Sequence, residues 1–334
     1  MSGLRVSVVA ATHDRADRLD ALLASLWAQS LAPGAFEVII VDDGSTDATG
    51  AVLGHWLRRP DGPSLRVVRR ERAGGPAVAR NEGWRTARAP VVAFTDDDCR
   101  VAPLWLEAGL GALDATAPGA GTGEAEAIVQ GATEPDPMEA DRLGPFSRSL
   151  TVTGLDGWFA TANVFYPRSL LERLGGFDGE TFTRAGGEDT DLAWRALAHG
   201  VPAAFCPEAR AWHAVHDVGP VGRLRNAARW AETMAVFARH PELRRRNLVR
   251  GIFWKDSHYL LVRTLVALVL PRRLRAPAVS YLAWRYGVQL WQRAHHDGDG
   301  SGGGPASIPF FVLHDAVEVA TAARGAVRYR TVVL

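Results

Sequence analysis

Within the first hundred residues, short apolar runs rich in β-branched residues alternate with amphipathic segments, and this alternation leaves few architectures open. Val6-Ser7-Val8-Val9-Ala10 reads as a strand, and Arg15 to Gln29 follows with Leu19, Leu22, Leu23 and Leu26 at helical spacing. Further strands are predicted at Phe36 to Val41, Leu65 to Arg69 and Val91 to Thr95. Helices are predicted at Asp47 to Arg58, Pro76 to Arg88 and Pro103 to Ala115. Apolar strands alternating with helices build an α/β fold, a mostly parallel sheet covered on both faces. Ligands of such sheets bind outside the carboxyl ends of the strands. Two of those ends are acidic here: Asp42-Asp43 after the second strand and Asp96-Asp97-Asp98 after the fourth.

The middle third is less regular, and Ala117 to Gly123 and Glu134 to Pro145 read as loops. From Val221 onward the pattern is helical: Val221 to Arg239, Pro241 to Leu270, Leu274 to His296 and Pro309 to Val327. The Gly-rich tract 297–305 reads as a flexible linker. Charge divides the chain in the same place. Of 38 basic and 37 acidic residues, residues 1–219 hold 20 and 30, and residues 220–334 hold 18 and 7. A basic C-terminal region beside an acidic first part implies different partners for the two. Two cysteines, Cys99 and Cys206, make no disulfide framework and suit a reducing, cytoplasmic compartment. The apolar stretch Tyr259 to Leu270 is shorter than the roughly 20 residues a membrane span needs, so no spanning segment is expected.

Three carboxylates in a row at a strand end repel one another unless solvent or a cation relieves them, and hard oxygen ligands suit Mg²⁺ or Mn²⁺. Asp96 and Asp98 can face one ion together if the chain turns there; a solvated acidic loop is the alternative. One βα unit earlier, Asp42-Asp43-Gly44-Ser45-Thr46-Asp47 offers a carboxylate to a base N–H or a ribose hydroxyl, or simply a turn former. Gly74-Gly75-Pro76 opens a helix and permits close backbone approach by a ligand, with Arg80 in its first turns within reach of a phosphate. Glu188-Asp189 precedes an amphipathic stretch containing Leu192, Trp194, Ala196 and Leu197, which sets the acidic pair at a helix N-terminus. Trp212-His213-Ala-Val-His216 places two imidazoles at the end of a further strand.

Taken in order, these motifs resemble family 2 glycosyltransferases of the GT-A fold. The resemblance rests on Val6 to Arg15, Val41-Asp-Asp-Gly-Ser-Thr-Asp47, Gly74-Gly-Pro-Ala-Val-Ala-Arg-Asn81 and Phe94-Thr-Asp-Asp-Asp98. It continues through Ala162-Asn163-Val-Phe-Tyr-Pro-Arg168, Leu174-Gly-Gly-Phe-Asp178 and Gly186-Gly-Glu-Asp-Thr-Asp-Leu-Ala-Trp-Arg195. It implies a catalytic domain at 1–219, with a nucleotide-sugar-binding half at 1–115 and an acceptor half at 116–219; the basic, mainly helical region at 220–334 lies outside the resemblance and follows from charge and pattern. By the same resemblance Asp43 contacts a uracil-type base and Thr12 helps line its pocket. Asp98 ligates the metal, Asp96 reaches ribose or metal through water, and His213 completes the metal shell. Asp189 is the base that takes the acceptor's proton, and Asn163 and Glu188 are candidates for sugar or acceptor contacts. His13-Asp14 stands where Tyr-Asn is commoner in the family.

The implied activity is inverting transfer of a sugar from a nucleotide diphosphate sugar, UDP- or dTDP-type favoured, to an acceptor hydroxyl. A lipid-linked acceptor in polysaccharide or glycoconjugate biosynthesis is one option. A sugar-1-phosphate nucleotidyltransferase would need a Gly-rich loop after the first strand, and Ala11-Thr-His-Asp-Arg15 has no glycine. No Gly-x-Gly-x-x-Gly follows a strand, which argues against a dehydrogenase. An inactive sugar-nucleotide-binding scaffold is the alternative of another class, opposed by the intact Asp96, Asp98 and Asp189. In the basic region, Arg244 to Arg246, Arg250, Arg263, Arg272, Arg273 and Arg275 flank apolar stretches. That pattern suits peripheral contact with an anionic membrane or helix packing better than a nucleic-acid groove, and no nucleic acid is expected.

Overall fold

A computed structural model describes residues 3–295 and 303–334, so most of the predicted linker at 297–305 lies outside the described residues. The chain forms two compact units, residues 1–138 with 149–214, and residues 139–148 with 215–334.

The first unit begins with β1 (Val6–Thr12), α1 (Ala16–Trp27), β2 (Phe36–Asp42), α2 (Thr49–Leu57), β3 (Ser64–Arg69), α3 (Pro76–Thr86) and β4 (Val91–Thr95). It continues with β5 (Cys99–Val101), α4 (Trp105–Thr116) and β6 (Ile128–Pro135). After β7 (Ser147–Arg148), which belongs to the second unit, come β8 (Asn163–Pro167), α5 (Arg168–Leu174), α6 (Glu188–Ala198) and β9 (Ala203–His213). Eight strands form one mixed sheet in the order β3-β2-β1-β4-β8-β6-β9-β5. β1, β2, β3 and β4 pair in parallel, whereas β8 runs antiparallel to both β4 and β6.

The continuous apolar reading of β1, β2 and β4 follows from burial on both sides. Successive side chains of a strand point to opposite faces. Val8, Ile40 and Ala93 join a cluster with Leu19, Leu22, Leu23 and Leu26 of α1 and Trp105 and Leu110 of α4. Val9, Ile39 and Phe94 join the other cluster with Trp84 of α3, Leu170 of α5 and Leu192 of α6. Each fully buried leucine contributes about 1.5–3 kcal/mol. Registering Thr12 with Asp42 and Asp42 with Arg69 brings the carboxyl ends of the first three strands into line.

Strands β6 and β8 are not evident from apolar periodicity because β8 is short and both carry buried polar side chains, Gln130 and Thr133 in β6 and Asn163 in β8. Asn163 is fully buried, and its amide donates to the carbonyls of Ala132 (2.8 Å) and Ala209 (2.7 Å) and accepts from Trp105 Nε1 (2.8 Å). Gln130 Nε2 donates to the Asn163 carbonyl at 2.7 Å. Asn163→Leu removes all three side-chain bonds and strands their buried partners, at about 1–3 kcal/mol each. We expect a loss of about 3–5 kcal/mol by urea denaturation; a loss under about 1 kcal/mol would contradict this role.

The second unit pairs β7 with β10 (His216–Asp217) and is otherwise helical. Its helices are α7 (Gly219–Ala227), α8 (Met234–Arg239), α9 (Pro241–Asn247), α10 (Asp256–Ala267), α11 (Arg272–Ala294) and α12 (Ile308–Tyr329). The two helices expected over 221–239 and 241–270 are each broken in two. In the second break Arg250 and Gly251 both take positive φ, 54° and 69°, and Val249 bridges to Phe253. One described helix, Pro305–Tyr329, is long and apolar enough to cross a bilayer by length and composition, which the sequence pattern does not single out. Its central carboxylates are engaged within the unit: Glu318 pairs with Lys255 (2.6 Å) and His258 (3.1 Å), and Asp315 accepts from Tyr286 (3.0 Å).

Candidate active site

The loops after β1 and β2 are laced together. Asp14, at φ 50°, accepts from the amides of Thr46 (2.6 Å) and Asp47 (3.2 Å), while Asp47 accepts from the Ala16 amide (3.1 Å). The Thr46 amide, with that of Asp47, holds the Asp14 carboxylate below its ordinary range, and the Thr49 hydroxyl and amide hold Asp47 below its own. His13 Nδ1 meets the Asp43 carbonyl at 2.9 Å. The His13-Asp14 departure from the commoner family pair thus joins the two loops.

Asp43 is buried, and its carboxylate accepts from the amides of Gly74 (2.9 Å) and Gly75 (2.9 Å) and pairs with Arg70 Nε (2.7 Å). The amides expected to meet a ligand at this turn therefore serve Asp43. Gly75 has φ 88°, and a Cβ there would lie 2.4 Å from the Thr183 carbonyl oxygen, so the position demands glycine.

The three carboxylates after β4 are relieved by two arginines. Arg80, expected near a phosphate, is instead buried: its guanidinium donates to Asp96 (2.7 Å) and to Glu188 (3.0 Å). Burial disfavours its charge, but Asp96 and Glu188 more than offset this and keep it cationic. Arg15 bonds Asp98 closely and reaches Asp97 at 3.2 Å. Burial pushes Asp97 well above the ordinary carboxylate value, with Arg15 pulling the other way and Asp98 adding to the rise. The Thr12 hydroxyl, at the end of β1, lies against Asp97.

His213, the last residue of β9, is buried with Nε2 3.5 Å from Asp98 Oδ1 and Nδ1 2.8 Å from the Ala214 carbonyl. That carbonyl favours the proton on Nδ1, leaving the Nε2 lone pair facing the carboxylate; the tautomer is assigned from this bond. Adjacent ligands of a six-coordinate divalent ion lie roughly 3 Å apart, since each bond is about 2.1 Å. Asp98 and His213 fit such an ion. His216 belongs to the second unit, where its strand pairs with β7.

At the N-terminus of α6 the two acids differ. Gly186 and Gly187, at φ 132° and 117°, turn the chain into the helix. Glu188 is buried, pairs with Arg80 and accepts from the Gly186 amide at 2.7 Å. Asp189 keeps partial exposure, accepts from the Thr190 amide at 2.8 Å and forms no ion pair among the described residues. Burial, with the neighbouring Glu188 charge, pushes its carboxyl up to about 7. It also lies near the buried Tyr166, whose phenol both burial and Asp189 raise. Asp191 pairs with Arg195 at 2.9 Å and serves the helix.

The sheet thus gathers Thr12, Asp43, Arg80, Asp96, Asp98, Glu188, Asp189 and His213 into the first unit, whereas Asn163 closes the sheet interior and faces no cleft. Arg15 and Arg70 are site residues that motif reasoning passed over. Arg70 directly follows β3 and Arg15 lies three residues beyond the end of β1, and three unrelieved carboxylates call for a nearby cation, which is the signal that would have found Arg15.

Comparison with known proteins agrees with this architecture. Residues 7–175 match the family model described as "Glycosyl transferase family 2", and residues 92–291 match "Glycosyl transferase family group 2". The chain belongs to glycosyl transferase family 2. It is 34% identical over 242 residues to a validoxylamine A glucosyltransferase of Streptomyces hygroscopicus subsp. limoneus, covering 64% of this chain and 52% of that protein. It is 28% identical over 219 residues to a pre-mycofactocin glycosyltransferase of Mycobacterium tuberculosis, covering 62% and 42%. The chain spans about half the length of the curated relatives it matches. Among solved structures it resembles the mannosyltransferase PcManGT from Pyrobaculum calidifontis in complex with GDP-Man and Mn²⁺, at TM-score 0.63 and 20% identity over 98% of this chain and 87% of that one. It also resembles S. aureus TarS 1-349 in complex with UDP-GlcNAc, at TM-score 0.51 and 14% identity over 98% and 93%. These neighbours establish the GT-A fold.

Proposed function

We propose that the chain is a metal-dependent, inverting glycosyltransferase that moves a sugar from a nucleotide diphosphate sugar to an acceptor hydroxyl. The observation that carries this reading is Arg80: one buried guanidinium bonds both Asp96 at the strand end and Glu188 beside Asp189. It couples the donor side of the site to the acceptor side. Family membership supports the reaction class, and the printed complexes of the structural neighbours support a nucleotide-sugar donor.

In this reading Thr12 and Asp43 border the base pocket, and Asp96, held by Arg80, borders the ribose. Asp98 and His213 would hold Mn²⁺ or Mg²⁺, which when bound supplies positive charge to the departing diphosphate. Asp189 accepts the proton of the attacking hydroxyl, because Glu188 is committed to Arg80 and to the Gly186 amide while Asp189 forms no ion pair among the described residues. One base on the acceptor side, with no second nucleophile proposed, gives a single displacement and inversion at the anomeric carbon. We place the enzyme in the cytoplasm, at the inner face of the membrane, with UDP- or dTDP-sugars as the first donors to assay and a lipid-linked hydroxyl as the first acceptor class. The buried, unpaired Cys99 and Cys206 are consistent with a reducing compartment.

The test is incubation with UDP-, dTDP- and GDP-hexoses and a panel of hydroxyl acceptors in Mn²⁺, reading nucleoside diphosphate release and the anomeric configuration of the product. Acceptor-dependent release with inverted product supports the reading; release with retained configuration, or none with any donor, contradicts it. The pH dependence follows from Asp189. A base must be ionised to accept a proton, and its carboxyl is raised to about 7, so the transfer rate rises as pH climbs through about 7. A pH profile flat down to about 5 would contradict that, since an ordinary carboxylate stays ionised there.

A further inference from the structure

In the second unit α10 and α11 pack against each other as a hairpin joined by four residues, Leu268 to Pro271. One face of α11 is accounted for: Leu282, Tyr286, Leu290 and Ala294 are buried with Leu260 of α10 and Phe311 of α12. A helix of this kind ordinarily shows polar residues on its other face. Here the opposite face carries Leu274, Tyr281, Trp284, Val288 and Trp291, all exposed, with Val288 the least so. At 100° per residue these five fall within roughly a 100° arc, on the side away from the buried set. The stripe continues into the hairpin tip, where Leu265, Val266, Leu268 and Val269 are exposed, Val269 to 82%. Soluble monomers rarely leave an apolar surface of this extent uncovered.

The charge around it identifies the occupant. Residues 257–296 contain six arginines, Arg263, Arg272, Arg273, Arg275, Arg285 and Arg293, and no Asp or Glu. Arg263, Arg272, Arg273, Arg275 and Arg285 are exposed. Arg285 also bonds the Tyr281 hydroxyl at 3.1 Å, at the edge of the stripe. A second copy of the chain docking face to face would set this cationic rim against itself. An anionic lipid surface meets both halves of the chemistry: acyl chains for the tip, the headgroup boundary for Tyr281, Trp284 and Trp291, and lipid phosphates for the arginines. We propose that the α10–α11 hairpin is a monotopic anchor that seats its tip and the outer face of α11 in an anionic leaflet. This specifies the surface behind the membrane location given above and stands independently of the chemistry assigned to Asp98 and Asp189.

The test is co-sedimentation of the full chain with phosphatidylcholine vesicles and with vesicles containing about 30% phosphatidylglycerol, at low and high salt. Binding is expected to the anionic vesicles and to weaken with salt. Each arginine near such a surface is worth about fivefold, so Arg272→Ser with Arg273→Ser together weakens partitioning roughly 25-fold. Val269→Glu with Trp284→Glu abolishes it. All four positions are exposed, so the variants keep the native melting transition and the native nucleotide binding. Arg245→Ser with Arg246→Ser removes the same charge from α9 and leaves binding near the native level. The proposal is overturned by absence of binding to anionic vesicles at low salt, or by an equal loss in the α9 variant. It is also overturned if the protein dimerises in sedimentation velocity and Trp284→Glu makes it monomeric without changing vesicle binding, which assigns the face to a second copy.

Discussion

Asp189→Asn binds the nucleotide donor as tightly as the native chain and transfers sugar about a hundred- to ten-thousand-fold more slowly. The range is what a positioned general base ordinarily supplies. The substitution keeps shape and the capacity to accept from the Thr190 amide, so α6 stays in place. It removes the one acid at this helix N-terminus that has partial exposure and no ion pair, among the described residues. The rising limb of the pH profile near 7 disappears with it. The contrast with Glu188→Gln sharpens the assignment. That change breaks the Arg80 bridge, leaves a buried guanidinium with Asp96 as its remaining carboxylate partner, and should reduce stability as well as rate. If Asp189→Asn retained most of its transfer rate, the base would have to be sought elsewhere.

Asp98→Asn loses metal-dependent nucleotide binding by at least about a hundredfold. Replacing even a residue that merely orients a ligand costs about ten- to a hundredfold in metal affinity, and Asp98 is assigned as a ligand itself. Two cationic or metal-competent groups converge on it, Arg15 and His213. The asparagine loses the charge that pairs with Arg15 and that would face the cation, while the Asp98 carbonyl still holds the Ala214 amide at 2.8 Å through the main chain. The fold should therefore survive, and the loss is measured by titrating Mn²⁺ and nucleotide into variant and native chain. Unchanged Mn²⁺-dependent binding would remove Asp98 from the metal site.

The parallel half of the sheet was legible because β1, β2 and β4 bury both faces, which leaves runs such as Val38-Ile-Ile-Val41 with no polar interruption. The acidic strand ends and the Glu188-Asp189 pair were legible from their placement after apolar strands and at a helix start, although acidic residues there also serve turns and helix ends. What pairs with those carboxylates was not. Arg15 and Arg80 lie in helix starts where an arginine is usually solvated, and only the tertiary fold turns them inward. The antiparallel strands β6 and β8 escaped for a related reason. β6 interrupts its apolar residues with the buried Gln130 and Thr133, and β8 opens on the buried Asn163 and is only five residues long, so neither shows a sustained apolar periodicity. In the helical region the pattern persisted through breaks that backbone conformation alone creates, as at Arg250 and Gly251.

The central claim is that the first unit binds a nucleoside diphosphate through a cation held at Asp98. Calorimetric titration of the purified chain with UDP, TDP and GDP, each with Mn²⁺ and each with chelator, tests it most directly. The account predicts that at least one nucleotide binds in Mn²⁺, that chelator abolishes the heat, and that Asp98→Asn abolishes it equally. Binding of none of the three, or binding that survives both chelator and Asp98→Asn, would contradict the claim.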